Sequence, residues 1–93
     1  MSRLEWNATA LADLDRLESF LNSKNPLAAE RAIKAIKDAT RLLATFPDAG
    51  QHYRSDYRQL IVRFSSSGYI VLYRLDNAVV EIVRVRHMRE TDY

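Results

Sequence analysis

Tyr69-Ile70-Val71-Leu72-Tyr73-Arg74-Leu75-Asp76-Asn77-Ala78-Val79-Val80-Glu81-Ile82-Val83-Arg84-Val85-Arg86-His87 holds two runs of β-branched and aromatic residues around a polar pair. Such side chains favour a pleated backbone, and Asp76 and Asn77 both tolerate the positive φ of a two-residue turn. The reading is a hairpin, Tyr69 to Leu75 followed by Ala78 to His87. With Leu75 and Ala78 flanking the turn, Tyr73 faces Val80, Val71 faces Ile82, and Tyr69 faces Arg84. Ile70, Leu72, Val79, Val83 and Val85 then share the other side with Arg74, Glu81 and His87. Both faces are strongly apolar, whereas an antiparallel sheet with one wet face normally alternates cleanly. The face left bare by any covering layer is therefore an expected partner surface.

Toward the N-terminus, Arg58 to Phe64 also alternates, with Leu60, Val62 and Phe64 on one side, and Ser65-Ser66-Ser67-Gly68 reads as a loop. The polar segment Gln51-His52-Tyr53-Arg54-Ser55-Asp56 reads as a solvated loop, and Pro47-Asp48-Ala49-Gly50 as a turn. Before Pro47 the period changes. Ala29, Ala32, Ile36, Ala39, Leu43 and Phe46 follow at helical spacing after Asn25-Pro26, a cap residue and a proline at the first helical position. Ala10, Leu14, Leu17 and Leu21 mark an earlier helix capped by Asn7 and ending near Asn22, and Leu4 and Trp6 alternate in a short opening strand. The alanines allow close helix approach. The fold class is α+β, an N-terminal antiparallel helical hairpin on a twisted antiparallel sheet of three to four strands.

Ninety-three residues suit one domain spanning 1–93. No cysteine is present, so neither disulfides nor thiolate metal sites arise. No apolar run approaches the ~20 residues of a membrane span, and the first residues carry no apolar leader, which fits a cytoplasmic protein. The charge is uneven. Residues 1–48 hold seven basic and seven acidic side chains, whereas 49–93 hold seven basic and five acidic, and those seven basics are all arginine. Guanidinium forks suit phosphate or carboxylate partners.

Together, several pieces resemble the RelE/ParE superfamily of bacterial toxins. They are Trp6 before an Ala/Leu-rich helix, Asn25-Pro26-Leu27-Ala28-Ala29, Phe46-Pro47-Asp48-Ala49-Gly50, Arg58-Gln59-Leu60-Ile61-Val62, Gly68-Tyr69-Ile70-Val71-Leu72-Tyr73-Arg74, and Val83-Arg84-Val85-Arg86-His87-Met88-Arg89-Glu90. They fall in the expected order over nearly the whole chain. The resemblance implies the toxin half of a type II toxin–antitoxin pair, a growth inhibitor in a hetero-oligomer with a co-encoded antitoxin. Arg58, Arg63, Tyr73, Arg74, Arg84 and Arg86 are its expected partner-binding residues. The superfamily divides by target. ParE-like members inhibit DNA gyrase, RelE-like members cleave mRNA on the ribosome, and a non-toxic interaction module of the same fold is a third possibility.

A nuclease working through 2′-OH attack needs a base, an acid and cations for the scissile phosphate. In the RelE-like branch, basic residues followed by a C-terminal tyrosine carry this out, and His87, Arg89 and Tyr93 fall at comparable spacing. Against it, residues 49–93 contain no lysine, and a net charge of +2 is small for a ribosome-binding protein. His87-Met88-Arg89 equally matches the His-x-Arg end of the ParE-like branch, where the histidine is structural. Two histidines thirty-five residues apart suggest no metal, and no phosphate loop or cofactor motif is present. The gyrase-directed reading comes first.

Overall fold

The computed structural model describes residues 2–90. Strand β1 (Arg3–Trp6) leads into helix α1 (Ala8–Asn22), with Asn7 extended and its side-chain oxygen accepting from the Ala10 amide at 2.8 Å. Asn25 does the same for Ala28 at 3.1 Å and opens helix α2 (Pro26–Thr45), with Pro26 in its first turn. Each cap satisfies an amide that the helix itself leaves open. The helices form the expected hairpin. Ala10, Leu14 and Leu17 of α1 share one core with Ala32, Ile33, Ile36 and Leu43 of α2.

Beneath them lie β2 (Gln51–Arg54), β3 (Tyr57–Phe64), β4 (Ser67–Asp76) and β5 (Val79–His87) in a five-stranded sheet ordered β1-β5-β4-β3-β2. The strand count exceeds the three to four expected. The sheet is also mixed, because β1 pairs parallel to β5, Leu4 with Val80 and Trp6 with Ile82. The added strand β2 covers the first four of the six residues read as a solvated loop. Its four residues are all exposed, so no apolar alternation marked it, and His52 sits there opposite Arg58. The Ser65–Gly68 loop shrinks to two residues, with Ser65 at φ 57° and β4 starting at Ser67.

The β4–β5 register differs from the sequence reading in two steps. The turn is Asn77-Ala78, at φ 48° and 64°, rather than Asp76-Asn77, so Leu75 pairs with Val80 and Tyr73 with Ile82. Past that point β5 carries one extra residue, Val83, and Leu72 pairs with Arg84, Val71 with Val85, and Tyr69 with His87. An inserted residue reverses which face the following side chains occupy. Val85 and His87 therefore lie on the helix-covered face, with Val85 fully buried, and Arg84 and Arg86 on the open one. Ile70 and Leu72 also lie on the open face, outside the main core, yet each keeps less than a tenth of its surface. Their cross-strand neighbours are Arg86 and Arg84, long side chains whose stems are able to shelter apolar surface.

Candidate functional site

The functional candidates converge on the end of β5, and strand alternation divides them between two surfaces. Beneath the sheet, the His87 ring meets Tyr69 edge-on, with centroids 5.2 Å apart at 84°. Its Nδ1 accepts from the Arg89 amide at 3.0 Å. In the neutral ring this bond leaves the proton on Nε2, so His87 presents a donor rather than a base to its surroundings. The His87 amide donates to Glu90 Oε1 at 2.7 Å. These groups border a groove of about 600 Å³ between α1 and the end of β5, walled by Leu17, Phe20 and Tyr69 and edged by Arg16 and Arg89. Tyr93, the third expected catalytic residue, lies outside the described residues.

On the open face the arginines are largely committed within the chain. Arg84 grips Asp13 of α1 through Nε at 2.8 Å and Nη2 at 3.1 Å, and the same carboxylate accepts the Val85 amide at 2.9 Å. Beyond Trp6, β1 no longer pairs with β5, so Asp13 takes up an edge amide that would otherwise lack a strand. Burial by itself raises the Asp13 pKa. The Arg84 and Val85 bonds and the charges of Arg84 and Arg16 outweigh it and hold the carboxyl below its ordinary value. Arg86 bonds the carbonyls of His87 and Glu90 and so ties down the turn after β5. Arg74 pairs with Glu81 at 2.9 Å. Arg63 is exposed beside Gly68 on the open face.

Two other expected partner-binding residues face the helices. Tyr73 is fully buried, its hydroxyl donating to Pro47 O at 2.7 Å and accepting from the Gly50 amide at 2.8 Å. Burial raises its pKa. Arg58 donates to Gly50 O at 2.8 Å and lies 3.6 Å from Asp48. Together they clamp the turn between α2 and β2. Gly50 is required there, because a Cβ would sit 2.6 Å from the Tyr73 hydroxyl and 2.7 Å from Gln59 O.

Sequence reasoning passed over Asp13 and Glu90. For Asp13 a signal exists. It sits between Ala10, Leu14 and Leu17 on the apolar stripe of α1, where an acid needs a partner across the core. Glu90 carries no such mark. Among the described residues no group of three His, Asp or Glu side chains is placed to hold a metal.

Two helices packed on one face of a five-stranded, mostly antiparallel sheet are the fold of solved RelE/ParE toxins. The model of the family described as "ParE toxin of type II toxin-antitoxin system, parDE" matches residues 4–92, and the chain belongs to that family. Two relatives in Caulobacter vibrioides bear the other branch's name. "Toxin RelE3" is 36% identical over 97% of this chain and 98% of its own, and "Toxin RelE2" is 33% identical over 94% and 96%. Among solved structures, the chromosomal ParDE system from P. aeruginosa superposes with a TM-score of 0.78 at 22% identity, covering 94% of this chain and 96% of that one, a likeness of fold. A chain of the RelBE2 toxin–antitoxin complex from Mycobacterium tuberculosis gives 0.64 at 25%, covering 92% and 96%. The chain is thus a type II system toxin, and no helix among its described residues is long and apolar enough to cross a membrane.

Proposed function

We propose that this toxin arrests growth by binding DNA gyrase without catalysis, and that a co-encoded antitoxin neutralises it by covering the open face of the sheet. The observation that carries the reading is the alternation at the end of β5, which puts His87 on the helix-covered face and Arg84 and Arg86 on the open one. A phosphodiester-cleaving site needs its base, acid and cations around one phosphate. Here the imidazole lies under the sheet with Nδ1 occupied, and the two arginines lie above it, holding Asp13 and backbone carbonyls. What remains on the open face is a binding surface, with Tyr57 and Ile61 beside Arg63 and Arg74. It suits a partial apolar strip flanked by acids.

A gyrase supercoiling assay and a ribosome-programmed mRNA cleavage assay on the same preparation test this. Dose-dependent loss of supercoiling with intact mRNA is expected. Cut mRNA with supercoiling untouched would overturn it in favour of the second reading, ribosome-dependent cleavage. That reading draws on the closeness of His87 and Arg89, which border one groove. For the antitoxin face, Arg63→Glu is expected to weaken the complex, and an unchanged affinity would place the antitoxin elsewhere.

A further inference from the structure

The turn that follows β5, residues 87–90, is tied at every amide. The His87 amide donates to Glu90 Oε1 at 2.7 Å, and the Glu90 amide returns to the His87 carbonyl at 3.0 Å. Between them, the Met88 amide donates to Gly68 O at 3.0 Å and the Arg89 amide to His87 Nδ1 at 3.0 Å. Arg86 closes the turn through the carbonyls of His87 and Glu90. The second carboxylate oxygen of Glu90 accepts from Arg16 of α1 at 2.9 Å, so the turn is fastened to the helix layer as well as to the sheet. Arg16 also lies 3.6 Å from Asp13, whose carboxylate clasps Arg84 and Val85. All this restrains a segment that adds no residue to the hydrophobic core. Ordering a backbone costs chain entropy, and here hydrogen bonds rather than apolar burial offset it. At the tip of the turn the Arg89 side chain stays exposed.

A side chain carried on a backbone that is fixed before contact loses less freedom on engagement, and its interactions are stronger for it. We propose that Glu90 and Arg16 are positioning residues for the toxic activity, holding the 87–90 turn in the conformation that directs the Arg89 guanidinium at the target. Glu90 sets the backbone by accepting the His87 amide, and Arg16 holds the Glu90 carboxylate in place from α1. The guanidinium fork then meets an anionic group of the target. This rests on the reading of the chain as a growth-inhibiting toxin, but not on whether gyrase or the ribosome is attacked. An ion pair whose side chains are 48% and 34% exposed contributes little to stability, so its removal leaves the fold in place.

The test uses the full chain and reads the toxin level that halves growth, hydrogen exchange of the turn amides, and the nitrogen resonances of the His87 ring. Glu90→Ala is expected to raise the toxin level needed about tenfold or more, with faster exchange at the His87 and Arg89 amides. Its ring nitrogens are expected to lose the distinction between an accepting Nδ1 and a protonated Nε2. Glu90→Gln keeps an acceptor for the His87 amide without the charge, and a smaller rise is expected. Arg16→Ala is expected to resemble Glu90→Gln, and Arg16→Lys, which restores the pair, to stay within about twofold of wild type. Asp38→Ala breaks the exposed pairs with Lys34 and Arg41 on α2 and is expected to stay within about twofold as well. Melting temperatures verify that each variant is folded. Because Glu90 acts through Arg89, the Glu90→Ala/Arg89→Ala double variant is expected to be no weaker than Arg89→Ala alone. A loosened turn with full toxicity would overturn the proposal. So would lost toxicity with the turn intact, an unaltered turn in Glu90→Ala, or additive losses in the double variant. A wild-type chain that leaves growth unaffected would instead overturn the toxin reading. The exchange and ring measurements need no target, and they would still decide whether the pair holds the turn.

Discussion

Ala78 occupies the left-handed region at φ 64°, the second central position of the β4–β5 turn. A Cβ costs roughly 1–2 kcal/mol in that region, and only glycine escapes it. Part of the relief is offset by the greater freedom of glycine in the unfolded chain. Ala78→Gly is therefore expected to stabilise the toxin by about 0.5–1 kcal/mol, seen as a higher denaturant midpoint, and a lower midpoint would refute the turn geometry. Tyr73 offers the opposite case. Tyr73→Phe deletes two hydrogen bonds and strands the Gly50 amide in a buried place, so a loss of about 1–3 kcal/mol is expected in chemical denaturation. Sequence alone could list Tyr73 and Arg58 as candidates but not aim them. An arginine or tyrosine in an alternating run is legible as a strand residue, while its direction depends on the register. For Arg84 and His87 that register turns on the extra residue Val83, where no glycine or proline marks the bulge.

Among the elements, the helices were the most legible, because a cap residue, a helical period and a breaker all agree in the same segment. Ala32 lies fully buried on the seam between them. Ala32→Leu is expected to overpack it at a cost of ~1–3 kcal/mol, read as a fall in melting temperature. The strand edges were least legible. β2 has no buried residue to announce it, and the pairing of β1 with β5 joins segments more than seventy residues apart. The clasp of Asp13 on β5 belongs to this scale. Asp13→Asn or Asp13→Ala removes the charge that Arg84 and Arg16 face, and about 2–4 kcal/mol is expected to be lost, less than for a wholly buried pair because Arg84 is part-exposed. The sign with pH follows from the direction of the shift. The folded-state pKa lies below the unfolded one, so this contribution is complete above about pH 4 and disappears as the pH falls through the folded value. Wild-type protein should therefore lose stability in acid more steeply than Asp13→Asn, as parallel melts from pH 6 to pH 2.5 would register. Coincident slopes would contradict the clasp.

For the whole molecule, the family and its layers were legible, whereas the target was not, since both branches are written on one fold. The discriminating variants are His87→Ala, Arg89→Ala and Tyr93→Phe, scored by induced growth inhibition. A gyrase inhibitor is expected to tolerate Tyr93→Phe, because one hydroxyl seldom decides a protein interface. A nuclease that lost a general acid would slow by ~10²–10⁴-fold. A folded Tyr93→Phe protein without toxicity would thus establish the ribonuclease.

Among the described residues, strand β1 pairs with Val79–Ile82 alone, near the far end of the chain. During synthesis, Arg3–Trp6 emerge early and must wait for almost everything else to be made. Closing so long a loop is slow compared with bringing together α1 and α2, which are adjacent in sequence. A nascent or prematurely stopped chain lacking β5 therefore has helices but no place for Leu4 and Trp6, and Asp13 has neither Arg84 nor the Val85 amide. Such fragments lack the finished sheet and are expected to be degraded rather than toxic, which expression of a chain stopped before Val79 would test. A complete fold, and any activity that depends on it, is therefore expected only after the last strand has been translated.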